Sequence, residues 1–158
     1  MVDIVSEAAR SRMMAGIRSA DTKPEMAVRR FLHSKRFRFR LHVRSLPGSP
    51  DLVLAKYRLV IFVHGCFWHR HAGCRFSTMP DKNFEKWQSK FDQNTTRDKR
   101  VQEELSALGW RIMVIWECAI RTASLRSTLT ALPDLITNMD LRIIEWPSDI
   151  PCLELIPN

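Results

Sequence analysis

Leu59-Val60-Ile61-Phe62-Val63-His64-Gly65-Cys66-Phe67-Trp68-His69-Arg70-His71-Ala72-Gly73-Cys74 carries an unbroken apolar run straight into a cluster of three histidines and two cysteines. The run has the length of a buried strand, and so dense a set of metal-type donors at its end is costly unless used. Cys66, His71 and Cys74 are separated by four and then two residues, a spacing that lets soft sulfur and imidazole donors converge on one Zn²⁺. Cys118, at the end of a later apolar segment, supplies a fourth donor. Four protein donors leave no open coordination position, so the expected role is structural: to fix the loop that carries Phe67, Trp68 and His69. The plainer alternative makes the histidines satisfied polar groups beside a turn. On the zinc reading His64 and His69 are left over, and two large rings on a tight turn suit the gripping of a flat partner.

Outward from this stretch, Ser45-Leu46-Pro47-Gly48-Ser49-Pro50 is a turn, since two prolines and a glycine break any ladder. Asp51 follows at once and heads an apolar strand, Leu52 to Ala55. The break Lys56-Tyr57-Arg58 joins it to Leu59–Val63 as a buried hairpin. Antiparallel neighbours bring Asp51 and His64 to the same sheet edge, with His69 five residues further on. A carboxylate beside imidazoles in a basic protein can hold Mg²⁺ against a phosphate and take a proton from an attacking water.

Residues 1–20 carry Arg10, Arg12 and Arg18 among Met13, Met14 and Ile17, which reads either as a basic arm able to follow a DNA groove or as a docked helix. Thr22-Lys23-Pro24-Glu25 has capping-box spacing and predicts a helix to about Lys35, with Val28 and Leu32 inward. Glu25 either closes the cap or leans toward the interior. Phe37, Phe39, Leu41 and Val43 alternate with Arg38, Arg40 and His42, the pattern of a strand with one basic face. From Phe84 to Leu108 apolar residues recur every three or four positions, as in one long helix or two joined end to end. Asp98 is the one acid on that stripe and either faces the interior or pairs with Arg97 or Arg100. Gly109 is placed as a C-cap, Arg111 to Trp116 is a further buried strand, 122–139 a helix interrupted near Pro133, and Leu141 to Trp146 a short strand. The order of elements indicates an α/β domain with a mixed sheet flanked by helices: residues 1–20 an arm or helix, 21–146 the domain, 147–158 a tail.

The chain has 158 residues, 45% of them hydrophobic, enough for one domain with a real core. No run reaches the roughly 18 apolar residues that cross a bilayer, and the N-terminal stretch lacks signal-peptide form, so a cytoplasmic protein is expected. Four cysteines, three of them placed as metal ligands, suit a reducing compartment and leave Cys152 as a spare thiol. Twenty-five Lys and Arg against 17 Asp and Glu give a net charge of +8, and the excess is mostly arginine, which makes nucleic acid the leading partner.

Taken together, Ser45-Leu46-Pro47-Gly48-Ser49-Pro50-Asp51, Phe62-Val63-His64-Gly65-Cys66-Phe67-Trp68-His69, Arg97-Asp98, Gly109-Trp110-Arg111 and Trp116-Glu117-Cys118-Ala119 closely resemble the very-short-patch-repair (Vsr-type) mismatch endonucleases. The resemblance implies a restriction-endonuclease-like fold and a Mg²⁺-dependent enzyme that nicks one DNA strand 5′ to the thymine of a T:G mismatch, the product of 5-methylcytosine deamination. It implies Mg²⁺ on Asp51, His69 as general base supported by Asp98, and Glu25 and His64 as further members that order water or contact phosphate. At Val63 the family commonly has Thr, so the contribution expected there is the backbone carbonyl to metal. Zinc falls on Cys66, His71, Cys74 and Cys118, with Ala72-Gly73 giving a loop one residue longer than expected. Phe67, Trp68 and Trp87 match aromatics that wedge into the base stack beside the mismatch. The partners implied are double-stranded DNA, a MutL-type repair protein and a functionally linked cytosine-5 methyltransferase. A monomer associated with the nucleoid when bound to DNA is expected. Two alternatives keep the same residues: a zinc-stabilised DNA-binding module without catalysis, and a restriction-type nuclease for unmodified DNA.

Overall fold

The computed structural model describes residues 7–16, 20–121 and 127–148. Its centre is a five-stranded sheet with strands in sequence order: β1 (Arg40–Leu41), β2 (Leu52–Leu54), β3 (Leu59–His64), β4 (Arg111–Trp116) and β5 (Ile143–Trp146). β1, β2 and β3 pair antiparallel; β3, β4 and β5 pair parallel, so the sheet is mixed. A parallel pair needs a crossover. Between β3 and β4 this is α3 (Cys66–His69) followed by α4 (Phe84–Ala107); between β4 and β5 the described part contains α5 (Leu132–Thr137). Among the described residues, α1 (Glu7–Ala15) and α2 (Lys23–Ser34) precede the sheet.

Both faces of the sheet are covered, which is why β3 and β4 read as continuous apolar runs rather than alternating ones. Leu52, Leu54, Leu59, Ile61, Met113 and Ile115 pack with Val28 and Leu32 of α2 and with Leu132 and Ile136 of α5. Val53, Val60, Phe62, Ile112 and Val114 pack instead with Val101 and Leu105 of α4 and with Cys66, Cys74 and Cys118. Since side chains alternate along a strand, Asp51 shares its parity with Val53, and His64 with Phe62. The hairpin therefore puts both polar ends on the face roofed by α4.

The capping box at α2 is complete: the Glu25 N–H donates to Thr22 Oγ1 (3.3 Å) and the Thr22 N–H donates to Glu25 Oε2 (3.4 Å). α4 is a single unbroken helix of 24 residues. Gly109, at φ +78°, ends that segment as the glycine placement predicts.

Three expectations change. Only Arg40–Leu41 of the alternating segment 37–43 joins the ladder; His42 turns to φ +45° and Leu41 lies exposed. Pro133 sits in the first turn of α5, so it starts a helix where an interruption was expected, and a 3-10 turn, Ser127–Ala131, precedes it. Phe84 and Leu108, at the ends of the apolar repeat, are more than half exposed. Residues 122–126 of the expected helix, Ile17 and Arg18 of the arm, and residues 149–158 with Cys152 lie outside the described residues. Among the described residues no helix is long and apolar enough to cross a membrane.

Candidate active site and metal centre

The sulfur cluster forms where β3 leaves the sheet. Cys66 opens the one-turn helix α3, the chain reverses at Arg70 (φ +56°) and Gly73 (φ +68°), and Cys118 comes from the turn after β4. The donor atoms of Cys66, His71, Cys74 and Cys118 all lie within 4.8 Å of one another. His71 Nδ1 is 3.6 Å from Cys66 Sγ and 3.5 Å from Cys118 Sγ. The three thiols are unbridged and buried, and the Cys66 thiol is brought down to about 5, first through its contact with Cys118 and against the opposing effect of burial. Three converging buried sulfurs with one imidazole fit a structural Zn²⁺, and the longer His71–Cys74 loop closes on them without loss of a donor. Glu117 braces the corner by accepting the Cys66 N–H (3.1 Å); burial, then the Cys66 charge, pushes its carboxyl up.

A second cluster lies beside it in an open cleft of about 650 Å³. Asp51, Val63, His64, His69 and Asp98 all line this space. The Val63 N–H donates to Asp51 Oδ2 (2.7 Å), tying the head of β2 to the end of β3. Burial above all pushes the Asp51 carboxyl up to about 6; the Val63 hydrogen bond counters this, and the charge on Glu25 adds to the rise. Across the cleft, His69 Nδ1 meets Asp98 Oδ2 at 2.5 Å. Burial works to raise the Asp98 carboxyl, but the hydrogen bond and charge of His69, with smaller contributions from other neighbouring groups, together hold it below the usual range. His64 and His69 lie face to face, ring centroids 3.8 Å apart at 9°. Burial, then the neighbouring His69, lowers His64 to about 3, so it is neutral at physiological pH.

Gly48 sets how closely the Pro-Gly turn approaches α4. It has φ +71°, and a Cβ there would stand 2.5 Å from Val101 Cγ1. Glycine is required on both counts, and Val101 is one turn beyond Asp98.

Comparison with known proteins decides what this arrangement belongs to. A family model described as DNA mismatch endonuclease Vsr matches residues 2–75. The chain is 48% identical over 120 residues to the type II nicking enzyme V.XorIIP of Xanthomonas oryzae pv. oryzae, covering 76% of this chain and 88% of that one. It is 42% identical over 121 residues to the DNA mismatch endonuclease Vsr of Escherichia coli, covering 77% of each. A third relative, the type II nicking enzyme V.NmeAIP of Neisseria meningitidis, is 39% identical over 125 residues, covering 79% of this chain and 89% of that one.

The chain belongs to the Vsr family of DNA mismatch endonucleases.

As a Vsr-family protein it is an endonuclease with a metal-binding corner, and its expected site residues can be placed one by one. Asp51, Val63, His64, His69 and Asp98 share the cleft. Glu25 is not among the cleft-lining residues. Only 2% exposed, it closes the cap and also accepts from the Arg29 guanidinium, so both readings of this residue hold. Between Glu25 and Asp51 stands His42, with Nε2 3.1 Å from Glu25 Oε1 and Nδ1 3.9 Å from Asp51 Oδ1. Arg29 also donates to Asp21 Oδ1 (2.6 Å) and lies 2.8 Å from His42 Nε2.

Sequence reasoning missed Asp21, Arg29 and His42. Each looked ordinary locally, and only the left-handed turn at His42 swings its ring inward. Asp98, by contrast, faces inward toward His69; Arg97 Nη2 is 3.9 Å from Asp98 Oδ1, beyond hydrogen-bond reach.

Phe67, Trp68 and Trp87 form one half-buried aromatic group anchored on buried Phe91, with Phe67 5.1 Å from Phe91 and 5.5 Å from Trp87. Lys90 Nζ sits 5.0 Å above the Trp68 ring, and Asn94 Nδ2 donates to the Trp68 carbonyl (3.1 Å), which fixes α3 to α4.

Proposed function

We propose that this protein nicks one strand of duplex DNA 5′ to the thymine of a T:G mismatch, as arises by deamination of 5-methylcytosine, through Mg²⁺-dependent hydrolysis. The observation that carries the reading is the pairing, across one cleft, of a half-buried acid (Asp51) with an oriented imidazole (His69 on Asp98). The names of the relatives as nicking enzymes support cleavage of a single strand.

The donor set fits Mg²⁺. Asp51 is a half-buried carboxylate that burial destabilises and that a hard cation would favour. Asp51 and the backbone carbonyl of Val63 would hold the ion. When bound, it would offset charge on the scissile phosphate and ease ionisation of the attacking water. The rest of the chemistry falls to side chains. With Nδ1–H donated to Asp98, the His69 lone pair is on Nε2, free to take the proton of the attacking water. Asp98 then stabilises the imidazolium. Because His64 stays neutral, the stacked pair never has to carry two adjacent charges, and a His64 N–H is available to a phosphate oxygen. Phe67, Trp68 and Trp87 would enter the base stack beside the mismatch, where unstacking is easiest. The zinc corner holds those rings and His69 in place. A MutL-type repair protein and a cytosine-5 methyltransferase are the partners this repair would involve; the enzyme would act as a monomer in the cytoplasm, on the nucleoid.

The test is nicking of T:G, matched and other mismatched duplexes with and without Mg²⁺, alongside Asp51→Ala. Mg²⁺-dependent nicking confined to T:G, lost in Asp51→Ala with DNA binding retained, is the expected result. Binding without cleavage under any condition would leave a DNA-binding module, and cleavage of the matched duplex a restriction-type nuclease.

A further inference from the structure

A phosphodiester gains negative charge as it is attacked, and an active site meets that charge with a fixed cation as well as a metal. Here the usual candidates are committed elsewhere. No lysine lines the cleft among the described residues: Lys99 lines the neighbouring cavity, which shares His64, His69 and Asp98 but not Asp51, and Lys56, five residues after Asp51, stands beyond the far end of β2 with its ammonium 5.5 Å over the Tyr57 ring. The Arg29 guanidinium is occupied by Asp21, Glu25 and His42. His64 is uncharged. Two arginines remain on the cleft wall, Arg44 from the β1–β2 connection and Arg97 from α4.

Arg97 is the one beside the dyad. Its side chain is 54% exposed, and its nearest acid contact is the 3.9 Å approach to Asp98 Oδ1, the oxygen that His69 does not use. That spacing orients the guanidinium toward the dyad while leaving its donors open. The planar fork matches two phosphate oxygens at once, which an ammonium does not.

We infer that Arg97 donates to a non-bridging oxygen of the scissile phosphate and stabilises the charge that develops there, while Arg44 holds an adjacent phosphate of the same strand. The inference rests on the nicking reading above. Arg97 approaches the cleft from α4, whereas Asp51 and His64 enter it from the sheet.

Single-turnover nicking of a T:G duplex, measured over a range of protein concentrations to separate rate from affinity, tests it on the zinc-loaded full chain. Arg97→Ala should lower the rate at saturation by about 10²-fold or more, with the melting temperature and zinc content of the parent. Arg97→Lys should fall between, keeping charge without the fork. Arg44→Ala should weaken binding and reduce its salt slope by about one. Arg100→Ala, on the same helix but 3.6 Å from Glu104, serves as the charge-matched control and should nick as the parent does.

A full rate for Arg97→Ala at saturating protein would overturn the inference. So would a deficit that vanishes when the pH is changed, because Arg97 would then act only on the dyad's protonation. Absence of nicking by the parent chain would instead remove the functional reading beneath it.

Discussion

The single turn of α3 serves two regions that use histidine in opposite ways. At its start Cys66 joins the sulfur corner with His71; at its end His69 enters the carboxylate cleft. The His71 ring is stacked on Trp116 (4.3 Å, 6°) and faces buried thiols, so its surroundings are soft, closed and suited to one ion. His69 is held as firmly, through Nδ1 on Asp98, but about a fifth of its side chain is exposed. The neighbours, rather than the residue type, decide which imidazole holds a structure and which can exchange a proton.

The sharpest way to break this division is to remove one histidine-bearing function at a time. His69→Ala should reduce nicking by about 10²–10⁴-fold, the usual worth of a positioned general base, while zinc stoichiometry and melting temperature stay at parental values. Cys118→Ser should do the reverse in order, losing metal and thermal stability first, because a structural ion contributes folding energy directly. Zinc loss in His69→Ala, read by metal analysis of the purified protein, would show that the two regions are one.

Their legibility in the sequence differed for the same reason. The sulfur corner is mostly local: three of its four donors lie within nine residues, Cys66 to Cys74, and spacing alone suggests them. The hairpin that brings Asp51 to His64 was also readable, because two short apolar runs around a three-residue break leave few other pairings. Asp98 stood out as an acid on an apolar stripe. The layer behind Asp51 was not readable. Asp21, Arg29 and His42 are scattered along the chain, and the alternation of Phe37 to Val43 pointed to a strand, whereas positive φ at His42 takes the ring out of the ladder to lie between two acids. Period-two patterns report burial, and a left-handed residue chosen for a side-chain contact defeats them.

The carboxylate cleft should also reveal itself as a place where stability is given up. Asp51 is raised from 3.8 to about 6. Below pH 4 both folded and unfolded chains hold the proton; between pH 4 and 6 the folded chain binds it more, so stability falls as pH rises through that window, and the full penalty stands above pH 6. In magnesium-free, zinc-loaded protein, Asp51→Asn should therefore be more stable than the parent by about 3 kcal/mol at pH 8, the difference closing as pH approaches 4. Added Mg²⁺ should stabilise the parent and leave the variant unchanged. Urea denaturation at several pH values measures this, and a difference independent of pH would remove Asp51 as the strained group. No comparable gain is expected from changing a cysteine of the sulfur corner, where each donor is already satisfied by the cluster.

The smallest expected contrast lies between two glycines, one in each region. Gly48 and Gly73 have nearly the same backbone, φ +71° and +68°, so alanine should cost each about 1–2 kcal/mol for the left-handed conformation alone. Beyond that they part. A Cβ at Gly73 meets nothing within 4 Å, whereas at Gly48 it would overlap Val101 Cγ1 at 2.5 Å and press the Pro-Gly turn away from α4. Overpacking of that kind costs about 1–3 kcal/mol more. Gly48→Ala should thus unfold at lower denaturant than Gly73→Ala and also nick more slowly, since the turn leads into Asp51 and the helix it is pressed away from carries Asp98 as well as Val101. Gly73→Ala should keep its nicking rate once folded. Equal losses of stability in the two variants would mean that α4 yields to the turn without cost, and that the spacing between Asp51 and the His69–Asp98 pair is not set there.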